Sequence, residues 1–332
     1  MHLGVSMRLL ITGGAGFIGS NFVRKICDNT LSGIDSIIIL DSLTYAGLRE
    51  NLPNLTSNSY EFVQGDIRDG DLVSSLLAKS DAVINFAAES HVDRSIKSAS
   101  DFVSTNVAGV DVLLNAINKT GRPIRFLQVS TDEVYGSIDT GSWDENSPLL
   151  PNSPYSASKA GGELIARAYH RTHDIDVIIT RCSNNYGTNH FPEKLIPLFI
   201  TNLIEGKKLP LYGTGNNIRD WLHVDDHCRG LHAALIKGRA GEVYNIGGGR
   251  ELTNLEITRL ILSEMGGDDS CIEYVNDRKG HDFRYSVDWS KSNVELGYSP
   301  QVNFEVGLRE TITWYRENLD WWKPLKKIQR TI

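Results

Sequence analysis

Residues 12–19 read Thr12-Gly13-Gly14-Ala15-Gly16-Phe17-Ile18-Gly19, between the apolar run Arg8–Thr12 and a helix-period segment over Ile18–Asp28. Gly13, Gly16 and Gly19 stand three apart. Each has its own task at a strand-to-helix turn. The first permits the tight turn, the second lets backbone approach a diphosphate, and the third lets helix and strand pack closely. The N-terminus of the helix adds free N–H groups and a positive dipole end. Glycines punctuate many turns, so the triplet depends on its context, and a strand before with a helix after supplies it.

Further along, apolar runs of strand length alternate with helical periods. Strands are expected at Ile34–Leu40, Tyr60–Gln64, Ala82–Ala87, Ile124–Ser130, Val177–Arg181 and Glu242–Ile246. Helices are expected at Leu72–Lys79, Ala99–Thr120 and Pro154–Thr172. Continuous apolar strands alternating with helices imply α/β architecture: a doubly wound parallel sheet of Rossmann type, with ligands at the carboxyl ends of its strands. After about residue 188, prolines, asparagines and short elements predominate. A helix from Asn254, a short strand Ile272–Val275 and a last helix near Phe304–Asn318 follow. The expected division is a dinucleotide-binding part, 7–189 with about 222–250, and a smaller, discontinuous C-terminal substrate-binding lobe, 190–221 and 251–332, with a cleft between them.

Composition sets limits. The chain has 332 residues, 40% of them hydrophobic, enough for a sizeable core, and a net charge of −7 with the signs interspersed. No basic tract suggests nucleic acid, and no apolar stretch is long enough to cross a membrane. Cys27, Cys182, Cys228 and Cys271 lie far apart with no CxxC pair, which fits reduced thiols in the cytoplasm. Met1–Met7 is too short for a secretory signal, and Met7 is as sensible a start as Met1.

Asp41 ends the second strand, 22 residues beyond Gly19 and close to the offset of roughly 20 for a ribose-binding acid. A carboxylate accepts both ribose hydroxyls and repels a 2′-phosphate, so the expected cofactor is NAD. A helix cap or solvated turn would also explain this acid. Asp66 and Ile67 follow the third strand, either flanking the adenine or forming a simple turn. Phe86-Ala87-Ala88 ends the fourth strand, with residues small enough for a dinucleotide to lie above the sheet.

Two further stretches carry chemistry. Tyr155-Ser156-Ala157-Ser158-Lys159 starts a helix after Pro154, and four-residue spacing puts Tyr155 and Lys159 on one face. A phenol is a poor base near neutrality, with a pKa near 10. A neighbouring ammonium and a positive nicotinamide ring would favour the phenolate. By chance alone such a pair is a surface pair. Thr131-Asp132-Glu133-Val134-Tyr135-Gly136 follows the fifth strand. Its two adjacent acids are either an exposed turn or an acid and a base. His91 and His281 show no metal-ligand spacing, so no metal is expected.

With these residues in view, the chain resembles the extended short-chain dehydrogenase/reductase family, and within it the nucleotide-sugar 4,6-dehydratases, over essentially residues 7–320. TGGAGFIGS (12–20) and YSASKAG (155–161) are similar to stretches shared by the wider family. AAESHVDRSI (87–96) and STDEVYG (130–136) resemble the dehydratases specifically. DSLTYAG (41–47), RCSNNYG (181–187), FPEKLIP (191–197) and RKGHDFRY (278–285) extend the likeness. The resemblance implies a lyase acting on dTDP-glucose through oxidation at C4, elimination of water across C5 and C6, and hydride return to C6. It implies Asp132 as acid, Glu133 as base, Thr131 at the C4 oxygen, and Tyr155 with Lys159 as the oxidation pair. Phe17, Ile18, Ser42, Leu43, Thr44, Ser90, Thr105 and Asn185 would join the cofactor site. Ser90, Thr131, Asn184, Lys194, Leu195, Pro210, Leu211, Tyr212, Arg219, Asn254, Asp277, Arg278 and His281 would line the substrate site. It also implies a homodimer paired through Ala99–Thr120 and Pro154–Thr172. Ser42 stands where the family often has lysine. Thr188-Asn189 departs from the commoner wording, a difference expected to tune nucleobase or sugar preference. The alternatives are a 4,6-dehydratase or epimerase for another nucleotide sugar, and a catalytically silent dinucleotide sensor.

Overall fold

A computed structural model describes residues 7–54 and 60–329; expectations for Met1–Ser6 lie outside them. Twelve strands occur among the described residues: β1 Arg8–Thr12, β2 Ser36–Asp41, β3 Tyr60–Gln64, β4 Ala82–Asn85, β5 Arg125–Thr131, β6 Val177–Cys182, β7 Asn184–Tyr186, β8 Leu209–Tyr212, β9 Ile218–His223, β10 Val243–Ile246, β11 Glu251–Thr253 and β12 Ile272–Val275. Seven form one sheet in the order β10-β6-β5-β4-β1-β2-β3. Every pair in it is parallel.

Alternation along the strands explains their unbroken apolar wording. Leu9, Ile11, Ile37, Ile39, Ile84, Leu127 and Ile178 enter the core on one face. Leu10, Ile38, Leu40, Val83, Phe126, Val177 and Ile179 enter the core on the other. A sheet covered on both sides needs apolar residues at both parities. A polar ladder crosses its centre: Thr12 Oγ1 donates to Asn85 Oδ1 at 2.5 Å, and Asn85 Nδ2 donates to Gln128 Oε1 at 2.8 Å.

Strand order reverses beside β1, which has β2 on one side and β4 on the other. Ligands bind doubly wound sheets at such a crevice. The carboxyl ends of β4, β5 and β6 lie next to it. From β6 the chain runs through Ser183 directly into β7, part of a three-stranded sheet ordered β11-β9-β7. A two-stranded sheet pairs β12 with β8. Around these small sheets a third core gathers Phe199, Leu211, Trp221, Ile261, Leu308 and Trp322.

Two expectations need correction. The helix expected over Ala99–Thr120 is interrupted by a π-turn at Ser104–Ala108, between α-helical Ser100–Val103 and Gly109–Thr120. Such turns expose inward-facing groups and are frequent at functional sites. Here Asn106, in the π-turn, holds both backbone groups of Glu89: its Oδ1 accepts from the amide at 2.9 Å and its Nδ2 donates to the carbonyl at 3.0 Å. Phe304–Glu317 is also not the last helix, since Leu319–Gln329 follows. Pro324 hides that helix from a sequence reading because proline normally ends one. Tertiary packing overrides it, with fully buried Trp322 donating to the Tyr315 carbonyl at 2.8 Å. The helices Leu195–Ile204 and Val224–Lys237 also went unread in the irregular second half.

Candidate active site

The glycine loop is built as its spacing implies. Gly13 takes φ +68°, and a Cβ there would lie 2.5 Å from the Ala87 amide nitrogen. A Cβ on Gly19 would lie 2.4 Å from the Gly13 carbonyl oxygen. The helix Phe17–Cys27 begins at Gly16 with no side-chain cap, so its first N–H groups face the cleft. Asp41 is buried, and both its oxygens are committed. Oδ2 accepts from the Ala15 amide and Oδ1 from the Leu43 amide, each at 2.8 Å. Burial raises its pKa, and the two amides pull the other way. Thus Asp41 also orients the glycine loop.

A cavity over the switch crevice is lined by Gly13, Gly16, Phe17, Ile18, Gly19, Asp41, Ser42, Thr44, Asp66, Ile67, Phe86, Ala87, Ala88, Ser90, Thr105, Tyr155, Lys159 and Asn185. Every expected cofactor residue is therefore at this cavity except Leu43, whose side chain packs against the core. Asp66 is tied to Arg68 at 2.9 Å through Nε.

A second cavity is lined by Asn184, Lys194, Leu195, Pro210, Leu211, Tyr212, Arg219, Asn254, Arg278 and His281. Ser90 and Thr131 line the first cavity instead. Asp277 lines neither; it accepts from the backbone of Arg278 and pairs with the His281 ring at 2.6 Å. Arg219 is buried, not a surface ion pair. It donates to the carbonyls of Ile218, Asp282 and Phe283 at 2.7, 3.0 and 3.3 Å, and lies over the Tyr285 ring at 4.3 Å.

The cavities share Glu133, Asn184, Asn185, His190, Glu193 and Lys194. The stretch 131–136 lies at this junction. After β5 the chain makes a single 3₁₀ turn, Asp132–Tyr135, capped by Thr131, whose Oγ1 accepts from the Glu133 amide at 3.3 Å. Gly136 ends it at φ +81°, where a Cβ would be 2.4 Å from the Leu150 carbonyl oxygen. Below, Tyr135 donates to Asn245 at 2.9 Å and accepts from Arg181 at 2.7 Å. Arg181 is paired in turn with buried Glu163 at 2.7 Å.

The two acids face different surroundings. Asp132 is 3% exposed. Its Oδ1 accepts from Thr131 Oγ1 at 3.2 Å, while its Oδ2 has no hydrogen-bond partner. Burial, then the charges of Glu133 and Asp220, push its pKa well up, which favours its neutral form. Burial also raises Glu133, but Arg278, Arg219 and Lys194 oppose the shift and favour its carboxylate. Tyr155 is buried against Phe102, with ring centroids 6.4 Å apart. Burial, then Glu133, hold its phenol protonated, opposed by a hydrogen bond with Thr131. Lys159 Nζ donates to the Val129 carbonyl at 2.7 Å, and burial lowers its pKa to about 8.

Sequence reasoning missed a cluster joining the cavities. Glu193 accepts from Tyr45 Oη at 3.0 Å and from Arg94 at 3.2 Å, and lies 3.4 Å from His91 Nε2. Arg94 stacks over the Tyr45 ring at 3.6 Å. His190 stacks on Phe17 at 4.0 Å. FPEKLIP and AAESHVDRSI contain Glu193 and Arg94, but no short-range spacing reveals that they meet.

Comparison with known proteins agrees with this geometry. The family model for GDP-mannose 4,6 dehydratase matches residues 10–311. A dTDP-glucose 4,6-dehydratase of Streptomyces niveus is 56% identical over 323 residues, covering 96% of each chain. Another, from an Actinoplanes species, is 55% identical, covering 95% of this chain and all of its own. The crystal structure of DesIV, a dTDP-glucose 4,6-dehydratase from Streptomyces venezuelae with NAD bound, superposes with a TM-score of 0.94 at 59% identity, over 96% of this chain and 100% of DesIV. A family match that runs through both cavities, joined to relatives this similar along nearly their whole length, means that the chain belongs to the family of nucleotide-sugar dehydratases described as GDP-mannose 4,6 dehydratase.

Proposed function

We propose that this chain is an NAD-dependent lyase converting dTDP-glucose to dTDP-4-keto-6-deoxyglucose and water. The supporting observation is the junction of the two cavities. There Asp132, its pKa pushed well up and its Oδ2 unpartnered, adjoins Glu133, whose carboxylate three cations favour against burial.

The first cavity fits NAD. Gly13 leaves a cradle that a Cβ would fill, the helix end at Gly16 offers free N–H groups to a diphosphate, and Asp41 stands at the ribose end. Bound NAD supplies a positive nicotinamide ring that favours the Tyr155 phenolate, and a hydride acceptor that takes hydrogen from C4 and returns it to C6. Tyr155 accepts the C4 hydroxyl proton, and Lys159 anchors this face of the cleft through Val129. A ketone at C4 makes the C5 hydrogen acidic, and Glu133 removes it. Asp132 donates its proton to the departing C6 hydroxyl, which leaves as water. Glu133 then returns its proton to C5.

That cycle leaves Tyr155 with one proton too many and Asp132 with one too few. Thr131 donates to Asp132 at 3.2 Å and is near enough to the Tyr155 phenol to lower its pKa, so a proton passed from Tyr155 by way of this hydroxyl to Asp132 would reset both groups. Arg219 and Arg278 serve the diphosphate of the sugar nucleotide.

The division proposed above, 7–189 with 222–250 against 190–221 with 251–332, is supported by the third core lying around the small sheets. A homodimer through the helices around residues 100–120 and 154–173 is supported by exposed Val103 and Leu164 on them. A cytoplasmic location is supported by four unpaired cysteines. No helix among the described residues is long and apolar enough to cross a membrane.

The deciding experiment supplies dTDP-glucose deuterated at C4. The expected product has lost one water and carries deuterium in its new methyl group. Deuterium lost to solvent, or no loss of water, removes the reading. UDP-, CDP- and GDP-glucose run in parallel identify a preference for another base.

A further inference from the structure

Thr188 and Asn189, where the wording departs from the family, line neither cavity. Asn189 takes φ +63°, a left-handed conformation that asparagine tolerates. Its side chain is directed toward the other side of the glycine loop. Asn189 Oδ1 accepts from Arg24 at 2.9 Å, and its Nδ2 donates to Asn51 Oδ1 at 3.4 Å. Asn51 is 2% exposed. Its Oδ1 also accepts from Trp321 Nε1 at 2.9 Å, and its Nδ2 donates to the Ala15 carbonyl at 2.9 Å. Arg24 donates to the Asn51 carbonyl as well.

Ala15 is therefore gripped on both sides: Asp41 takes its amide at 2.8 Å and Asn51 its carbonyl. This residue stands between Gly13 and Gly16, where backbone N–H groups meet a diphosphate. One amide side chain thus joins the cofactor loop, the loop at 187–190 and the helix Leu319–Gln329, which sequence reasoning missed. The next residue, His190, stacks on Phe17 at the start of the glycine-loop helix.

We infer that Asn51, Asn189 and Trp321 form a clasp of positioning residues that holds the glycine loop in its cofactor-binding shape and so sets how firmly NAD is retained. The inference rests on the hydride-returning reaction proposed above. There the cofactor that takes hydrogen from C4 must stay bound until C6 receives it, so premature loss would strand an oxidised sugar. Asn189 and Trp321, from the second half of the chain, then act on the cofactor loop from behind, and neither lines a cavity.

The test uses the purified holoenzyme. Trp321→Phe removes the indole N–H together with part of the ring that meets Trp314 and Tyr315, and Asn189→Gly keeps the left-handed backbone while removing the amide. Each loses part-buried hydrogen bonds to the clasp, so NAD affinity measured by calorimetry is expected to fall about fivefold to tenfold. NAD retained after buffer exchange is expected to fall with it, while the KM for dTDP-glucose stays at the wild-type value. Lys323→Ala, an exposed position on the same helix, is expected to leave NAD affinity unchanged. The inference is overturned if both clasp variants bind NAD as wild type does, or if Lys323→Ala weakens NAD equally. A chain that binds NAD but fails to turn over dTDP-glucose would instead count against the proposed reaction and leave the affinity comparison intact.

Discussion

Asp132 and Glu133 are neighbours in the chain but answer to different charges. Burial raises both, but at Glu133 it is opposed by Arg278, Arg219 and Lys194, whereas at Asp132 it is joined by the charges of Glu133 and Asp220. Asp132→Asn keeps the shape and removes the transferable proton. Water loss is expected to slow by about 100-fold or more, the usual contribution of a general acid. Oxidation at C4 should be less affected, so rapid-quench analysis should find the 4-keto sugar still carrying its C6 hydroxyl. Equal slowing of both steps would remove Asp132 from the acid role. Lys159 gives a prediction in pH. Its pKa is about 8 in the fold against 10.5 when free, so the unfolded chain binds more protons between those values. Stability relative to Lys159→Met should therefore rise with pH from about 8 to about 10, measured by urea denaturation. At this level much was readable in advance. Tyr155 and Lys159 share a helix face, and Asp41 ends a strand at the right offset. Glu193, Tyr45 and Arg94 were not readable, because a charge cluster whose members lie 49 and 99 residues apart has no local signature.

The glycine-loop helix starts where it does because Gly19 lets it press on the Gly13 carbonyl. Gly19→Ala would place a Cβ 2.4 Å from that oxygen, and the obstacle is backbone, which cannot rotate away. Loop and helix must separate, so NAD affinity should drop by about tenfold or more, with the far lobe unaffected; calorimetry with NAD and with dTDP checks the two sites separately. The strand β6 and the helix Pro154–His173 are locked by the Arg181–Glu163 pair, whose side chains are only 6% and 2% exposed. Glu163→Ala would leave the guanidinium buried beside Tyr135 without its counter-charge. The expected loss is about 3–5 kcal/mol of unfolding free energy, measured by denaturant titration. A loss below 1 kcal/mol would show that water reaches Arg181. The parallel strands were legible within a residue or two, since burial on both faces demands unbroken apolar runs. Leu319–Gln329 was not, because Pro324 argues locally against a helix that Trp322 secures through tertiary packing.

The two cavities meet only because β6 runs out of the large sheet into β7 of the small one, carrying Ser183, Asn184 and Asn185 across the junction. The turn 132–135 enters from β5 alongside, and β9 brings Arg219 from the other side. Oxidation and elimination chemistry thus share one floor. The Asn51 clasp is another product of this level, joining residues 15, 24, 51, 189 and 321. The amino-acid order alone was enough for the doubly wound sheet and the dinucleotide loop, and it marked the acids after β5 as either a turn or an acid and a base. Each of these follows from periodicity, glycine spacing or short-range chemistry. How burial and charge divide the two acids, which residues close the substrate cavity, why Leu43 and Asp277 stay outside the cavities, and what holds Ala15 from behind were decided by tertiary structure. Burial and counter-charge arise from groups distant in the chain, and their effect on a side chain exists only once folding has brought them together.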